Sequence, residues 1–118
     1  MSYLKNIRQE AVFPLTGEIT VCPGQVVSKT LAQNSAVSIT LFSFDRSEGI
    51  GSHDSEGDAM VQVLEGVGLF TVGEKAFRVH AGETLIMPAK IKHSVYAEKP
   101  FKMLLTVVFP DAAKGEIK

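Results

Sequence analysis

The chain has 118 residues, of which 45% are hydrophobic and 21% are charged, and its formal net charge is −1. This composition is typical of a folded globular protein and excludes an intrinsically disordered chain. The charges are interspersed and form no basic patch, so no nucleic-acid partner is expected. A chain of this length is expected to fold as one domain over residues 1–118.

The N-terminus and the longest apolar run bear on the cell compartment. Residues 1–10 are polar and of mixed charge, and they lack the apolar centre of a secretion signal. The longest apolar run, 103–109, is interrupted by Thr106 and is too short to cross a membrane. We therefore expect a soluble, cytoplasmic protein without a membrane partner. The lone Cys22 has no cysteine to pair with in the chain and is interpreted as a small buried residue.

Short segments rich in Val, Ile, Thr and Phe follow one another along the chain and predict an all-β protein. In order, the predicted strands are 25–31, 36–44, 59–65, 67–72, 75–80, 84–87, 93–97 and 101–109. Gly66 and Gly73 allow the positive φ of tight hairpin turns. Gly49 and Gly51 are interpreted as loop glycines, and residues 111–118 are expected to form a helical turn or to fray. Closely spaced short strands favour a sandwich or a barrel.

Alternation along these strands predicts the direction of side chains. In the last strand the odd positions form an apolar core face, while Leu104 and Val108 leave the other face half apolar. A second sheet or a partner subunit is expected to cover that half-apolar face. His93 falls on the more apolar face of its strand and is expected to point inward, whereas His80 falls on a polar face and is expected at the surface.

Two blocks of sequence, residues 53–66 and 82–93, resemble the paired motifs of the cupin superfamily, small β-barrels that often hold a metal. The resemblance covers residues 36–109. It implies a cupin-type double-stranded β-helix, or jelly-roll barrel, built of two packed antiparallel sheets. Residues 1–35 are then expected to supply the opening strands. The resemblance also implies a homodimer, because many small cupins pair through their sheets.

The first motif matches only part of the family pattern, whose complete metal site has three histidines and a carboxylate. When the motif is aligned on Gly66, His53 stands at the position of the first histidine. Ser55 stands where the family has its second histidine, and Ala59 stands where it has a glutamate. The resemblance therefore implies one retained ligand in this motif.

The second motif matches better. Gly82, Pro88 and His93 have the family spacing, and the resemblance makes His93 a second metal ligand. Lys90 and Ala97 depart from the pattern, which has Gly and Asn at those positions. The lysine bears on the geometry of the turn before His93 but leaves the histidine itself in place.

Two imidazoles alone make a poor metal site, because divalent metals bind about four to six ligands. Glu56 and Asp58, in the loop after His53, are candidates for a third ligand, although each also fits a solvated loop acid. A set of two histidines and one carboxylate suits a divalent metal such as Zn, Mn, Fe or Ni, with open positions for water or substrate.

Two functional hypotheses of different class stay open, because the cupin fold hosts many chemistries. In the first, the barrel cavity binds a divalent metal and a small molecule, and the protein is a metal-dependent oxygenase or isomerase. In the second, the protein is a non-catalytic small-molecule binding or sensor module whose histidines only form hydrogen bonds. A structural or partner-binding dimer with a filled barrel is a third interpretation. The residues assign no catalytic group and leave open whether the chain is an enzyme.

Overall fold

The computed structural model describes residues 3–110. Within this range a short 3-10 helix, Leu15–Glu18, precedes nine β-strands. The strands are β1 (Val26–Gln33), β2 (Val37–Phe44), β3 (Gly49–His53), β4 (Asp58–Glu65), β5 (Val67–Val72), β6 (Lys75–His80), β7 (Thr84–Met87), β8 (His93–Tyr96) and β9 (Phe101–Val108). The predicted all-β class is confirmed. None of the helices in residues 3–110 is long and apolar enough to cross a membrane.

The strands form two antiparallel sheets. The larger sheet has five strands in the order β1-β2-β9-β4-β7, and the smaller has four in the order β3-β8-β5-β6. Their inward side chains pack into one apolar core, which draws on both sheets: Phe44, Ala59, Val61, Val63, Phe70, Val79, Met87, Val95, Ala97, Phe101 and Met103. This is the two-layer arrangement that the sequence predicts.

Three phenylalanines form the centre of this core. The ring of Phe101 stacks on Phe44 at a centroid distance of 4.7 Å and meets Phe70 edge-on at 6.0 Å. All three side chains are fully buried, and each stabilises the fold by about 1.5–3 kcal/mol relative to exposure. Gly68 leaves space for them, since a Cβ atom there would stand 2.7 Å from the Phe101 ring.

The segment before β1 departs from expectation. Residues 3–25 contain no strand, so the prediction that residues 1–35 supply opening strands holds only from Val26 onward. This segment lies on the outer face of the five-stranded sheet instead, where its apolar side chains form a second cluster. The cluster contains Ile7, Leu15 and Ile19 of the segment together with sheet residues such as Leu31, Leu41 and Leu104.

Polar contacts hold the same segment on the sheet. The buried hydroxyl of Ser43 donates to the carbonyl of Thr20 at 2.8 Å, and Lys102 Nζ donates to the carbonyl of Thr16 at 2.7 Å. The chain's own N-terminal segment therefore covers the outer face at Leu104, where a second sheet or a partner subunit was expected. Cys22, which lies in this segment, is partly buried.

Strand β3 was not expected, because its glycines favour a loop. It is ordered by pairing with β8, against which Gly49 packs so closely that a Cβ atom would stand 2.3 Å from the Val95 carbonyl oxygen. The register is irregular between Ile50 and His53. The interpretation of Gly49 and Gly51 as loop glycines is therefore wrong. The predicted helical turn at residues 111–118 lies outside the described residues.

Candidate functional site

Strands β3 and β8 place His53 and His93 directly opposite each other in the four-stranded sheet. The two imidazole centroids are 4.4 Å apart, and the rings meet edge to face at 69°. His93 is buried, with 6% of its surface exposed, whereas His53 is open to solvent. The irregular register before His53 belongs to the kind of bulge that re-aims a side chain. The pair thus has a buried half and an accessible half.

Hydrogen bonds fix the same tautomer on both rings. Nδ1 of His53 lies 2.9 Å from the carbonyl oxygen of Gly51, and Nδ1 of His93 lies 3.2 Å from that of Ile91. A carbonyl oxygen only accepts, so each Nδ1 carries the proton and donates it. Each Nε2 then keeps a lone pair. Histidines that bind metals typically donate their second ring nitrogen to a carbonyl or carboxylate in this manner.

The environment favours the neutral form of His93. Burial lowers the pKa of His93 below its usual value, and the nearby charge of His53 lowers it further. The Ile91 carbonyl and Asp54 act in the opposite direction with smaller effect. A neutral imidazole is the form that binds a cation, and the lowered pKa favours that form of His93.

Ser55 and Ala59 stand at the two positions that differ from the family pattern. Neither side chain has a polar contact with the histidines. The Ser55 hydroxyl donates to the carbonyl of Gly57 at 2.7 Å and accepts from its N–H at 3.2 Å, so it is used within its own loop. Ala59 is 2% exposed and lies in the core beside Met87 of β7. Over residues 3–110, no group of three or more His, Cys, Asp or Glu side chains is close enough to hold a metal ion.

The two acidic candidates for a third ligand contact the turn before His93. Asp58 Oδ1 accepts a hydrogen bond from the Ala89 N–H at 2.8 Å. Glu56 Oε1 lies 3.9 Å from Lys90 Nζ, and both side chains are largely exposed. Metal ligation by Glu56 or Asp58 stays a prediction. Their present contacts connect the loop that follows His53 to the turn that precedes His93.

Lys90 has an unusual backbone in that turn. Its φ is +67°, in the left-handed region that favours glycine, which is the residue of the family pattern. The lysine therefore keeps the turn at a strain of about 1–2 kcal/mol. Its N–H donates to the Ser55 carbonyl at 2.8 Å. Motif reasoning missed this main-chain contact, because it joins residues that are distant in sequence and depends on no side chain.

The third histidine is separate from this site. His80 lies at the surface, as predicted, with 60% of its side chain exposed, and its Nδ1 is 3.1 Å from Glu83 Oε1. Backbone and side-chain hydrogen bonds from His80 lower the pKa of Glu83.

Two antiparallel sheets around an apolar core, with paired histidines on adjacent strands, define a small jelly-roll protein of the cupin type. The Cupin domain family matches residues 40–109, which is more than half of the chain. The chain belongs to this family, and the predicted fold and family are confirmed.

Solved structures agree with this assignment. A conserved protein of unknown function from Streptococcus pyogenes is 44% identical, with a TM-score of 0.92 over 94% of this chain and 97% of that chain. A cupin superfamily protein from Desulfitobacterium hafniense is 31% identical, with a TM-score of 0.88 over 92% of this chain and 100% of its own.

Similarity to characterised enzymes is more distant. Salicylate 1,2-dioxygenase from Pseudoaminobacter salicylatoxidans is 17% identical, with a TM-score of 0.66 over 75% of this chain and 26% of that chain. At this identity the likeness extends to the fold alone. No curated protein sequence is significantly similar to this chain.

Proposed function

We propose that the chain is a small-molecule-binding cupin in which His53 and His93 together hold one divalent cation, such as Zn, Mn, Fe or Ni. The observation that carries this proposal is the facing pair of rings, 4.4 Å between centroids, with Nδ1 of each held by a backbone carbonyl. Each ring then keeps its Nε2 lone pair, and imidazole nitrogen suits all four metals.

The small number of protein ligands shapes the chemistry. With two imidazoles, most positions on the ion are left for water or a bound small molecule, so the metal is expected to bind weakly and to exchange readily. When bound, the ion would supply Lewis acidity to that small molecule. The residues around it have separate tasks: the carbonyls of Gly51 and Ile91 orient the rings, and burial favours the neutral form of His93.

An oxygenase or isomerase activity is the catalytic form of this proposal. A non-catalytic binding or sensor module is its alternative, and the two replaced positions favour that alternative. Ala59 contributes a methyl group to a tight core, and Ser55 is hydrogen-bonded within its loop. In the alternative, the Nε2 atoms accept hydrogen bonds from a ligand and no metal takes part.

Titration calorimetry of metal-stripped protein with Zn, Mn, Fe(II) and Ni tests the proposal. His53→Ala and His93→Ala are each expected to weaken binding by at least about tenfold, or 1.4 kcal/mol, since each removes one of two protein ligands. His80→Ala is the matched control, because it removes an exposed imidazole far along the same sheet. Equal affinity in all four proteins would overturn the metal site, and ligand binding without metal would support the alternative.

We also propose a homodimer formed through the outer face of the five-stranded sheet. Beyond the part covered by the N-terminal segment, three apolar side chains stay exposed: Met60 at 36%, Ile86 at 52% and Val108 at 59%. They lie on β4, β7 and β9, and Met60 pairs directly with Ile86, so they form one strip. A second copy would bury the strip. Sedimentation at micromolar concentration should give a dimer for the wild type and a monomer for Ile86→Glu.

A further inference from the structure

A cavity of about 360 Å³ lies on the outer side of the four-stranded sheet. Its lining residues come from two turns, from the start of β5 and from β6: Gly66, Val67, Arg78, His80, Glu98, Lys99 and Pro100. The cavity is separate from the histidine pair. Val67 starts β5, whereas Val72, at the opposite end of the same strand, is the residue that pairs with His93. The length of β5, about 3.3 Å per residue, therefore divides the two sites.

A paired arginine forms one wall of the cavity. Arg78 donates through Nε to Glu98 Oε1 at 2.9 Å and through Nη2 to Glu98 Oε2 at 2.8 Å. Arg78 lies on β6 and Glu98 follows β8, so the pair bridges across β5, which lies between those strands. This side-on pairing occupies one edge of the guanidinium and leaves both hydrogens of Nη1 for another acceptor. Glu98 thus orients the arginine in advance.

The remaining lining combines polar groups with an apolar floor. Lys99 contributes an ammonium group, and the His80 ring, held at Nδ1 by Glu83, also lines the cavity. Val67 and Pro100 supply apolar surface between these groups. Gly66 packs closely against the Pro100 turn, since a Cβ atom there would stand 2.7 Å from the Pro100 carbonyl oxygen.

We propose that this cavity binds a small monoanion with an apolar body, of the class of aromatic or branched aliphatic carboxylates. Among the lining residues, two cations, Arg78 and Lys99, face one carboxylate, Glu98, which leaves one positive charge for one negative charge on the ligand. A carboxylate would accept charge-assisted hydrogen bonds from Nη1 and from the ammonium group. An amine would meet only Glu98, which is already paired. The volume falls within the range of pockets for small ligands.

The experiment is a titration of ¹⁵N-labelled, metal-stripped protein with benzoate, followed by amide chemical shifts. Benzamide, which has the same shape without the charge, is the ligand control. We expect benzoate to shift the amides of residues 66–67, 78–80 and 98–99 and benzamide to bind far more weakly. Lys99→Gln should weaken benzoate binding about three- to fivefold, as expected for one exposed charged contact. Lys92→Gln, which neutralises an exposed lysine beside His93, should leave benzoate affinity unchanged.

A double variant, His53→Ala with His93→Ala, separates this cavity from the proposed metal site. Benzoate should bind the double variant as it binds the wild type, whether or not the metal proposal holds. Shifts centred on residues 50–54 and 91–94 that disappear in the double variant would assign benzoate to the histidine pair and overturn the second site. Equal binding of benzamide, or no shift at millimolar benzoate, would also overturn it.

Discussion

The loop after His53 and the turn before His93 have diverged from the cupin pattern in different ways. Ser55 of the loop and Ala59 of β4 stand where the resemblance implies ligand side chains, and the loop backbone meets the turn through the Ser55 carbonyl. The turn has kept its histidine but carries a lysine at a left-handed position that suits glycine. The contact between the loop and the turn thus uses main-chain atoms and depends on none of the side chains that differ from the family pattern.

Restoring the lost carboxylate is expected to have the largest effect. Ala59→Glu places a carboxylate at a position that is 2% exposed, inside the core. Without metal, the free energy of unfolding should fall by about 3 kcal/mol, because a buried charge has no partner there. Urea unfolding with and without Zn measures this effect, and Zn should recover part of the loss if the frame still supports a metal site. Ala59→Gln is the uncharged control, and an equal response of Gln and Glu to Zn would show that the carboxylate is not a ligand.

Two glycines of β3 test whether close packing against β8 holds the strand that carries His53. Gly49→Ala should destabilise the protein by about 2 kcal/mol, because the added methyl group would stand 2.3 Å from the Val95 carbonyl oxygen. Gly51→Ala adds the same methyl group where nothing lies within 4 Å and should be nearly neutral. Denaturant unfolding gives both values. Similar losses in the two variants would mean that close packing of β3 on β8 does not hold the strand.

Two substitutions of Asp58 distinguish between a role in positioning the turn and a role as a metal ligand. Asp58→Ala removes the acceptor for the Ala89 N–H and should lower the free energy of unfolding by about 1 kcal/mol and weaken metal binding. Asp58→Asn keeps an oxygen acceptor, so calorimetry should return close to wild-type metal affinity. If Asp58→Asn loses metal binding as completely as Asp58→Ala does, the Asp58 carboxylate is a metal ligand and does more than position the turn.

Acid should destabilise the metal-free protein modestly through His93. The lowered pKa of His93 means that the folded protein disfavours the proton relative to the unfolded chain. The free energy of unfolding of metal-free protein should therefore fall as the pH drops below about 6.5, the ordinary histidine value. Unfolding measured at about pH 7.5 and about pH 5.5 tests the sign. His93→Asn should show a smaller difference, and an unchanged difference would assign the acid effect to other groups.

The sequence predicts strands well where alternation and turn glycines coincide. The bounds of β5, β6 and β7 agree residue for residue with the predicted segments. Strand β3 escaped prediction because its glycine-rich sequence has little preference for strand, and pairing with β8 orders it. The packing of residues 3–25 on the sheet was not predicted for a related reason. The apolar residues of this segment are irregularly spaced and show no local period.

The sequence motifs predict the histidine pair, but they do not predict the hydrogen bond between Ala89 and Asp58 that joins the two motifs. The positions of His53 and His93 follow from the family spacing, and the structure places their rings together. The hydrogen bond from Ala89 to Asp58 joins residues 31 apart in the chain, so no local pattern indicates it. The sequence therefore indicates only a solvated loop acid or a ligand at Asp58, and not its contact with the second motif.

The N-terminal segment also constrains the order of folding. Its apolar side chains pack on Leu104 of β9, and the Lys102 ammonium reaches the Thr16 carbonyl across 86 residues of sequence. The segment precedes the sheet in the chain, yet its docking surface is complete only when β9 has joined the sheet. Closing so long a loop is slow, because chain entropy must be lost before the contact forms. Docking of residues 3–25 is thus expected to be a late step, and until then the outer face of β2 and β9 is an exposed aggregation hazard.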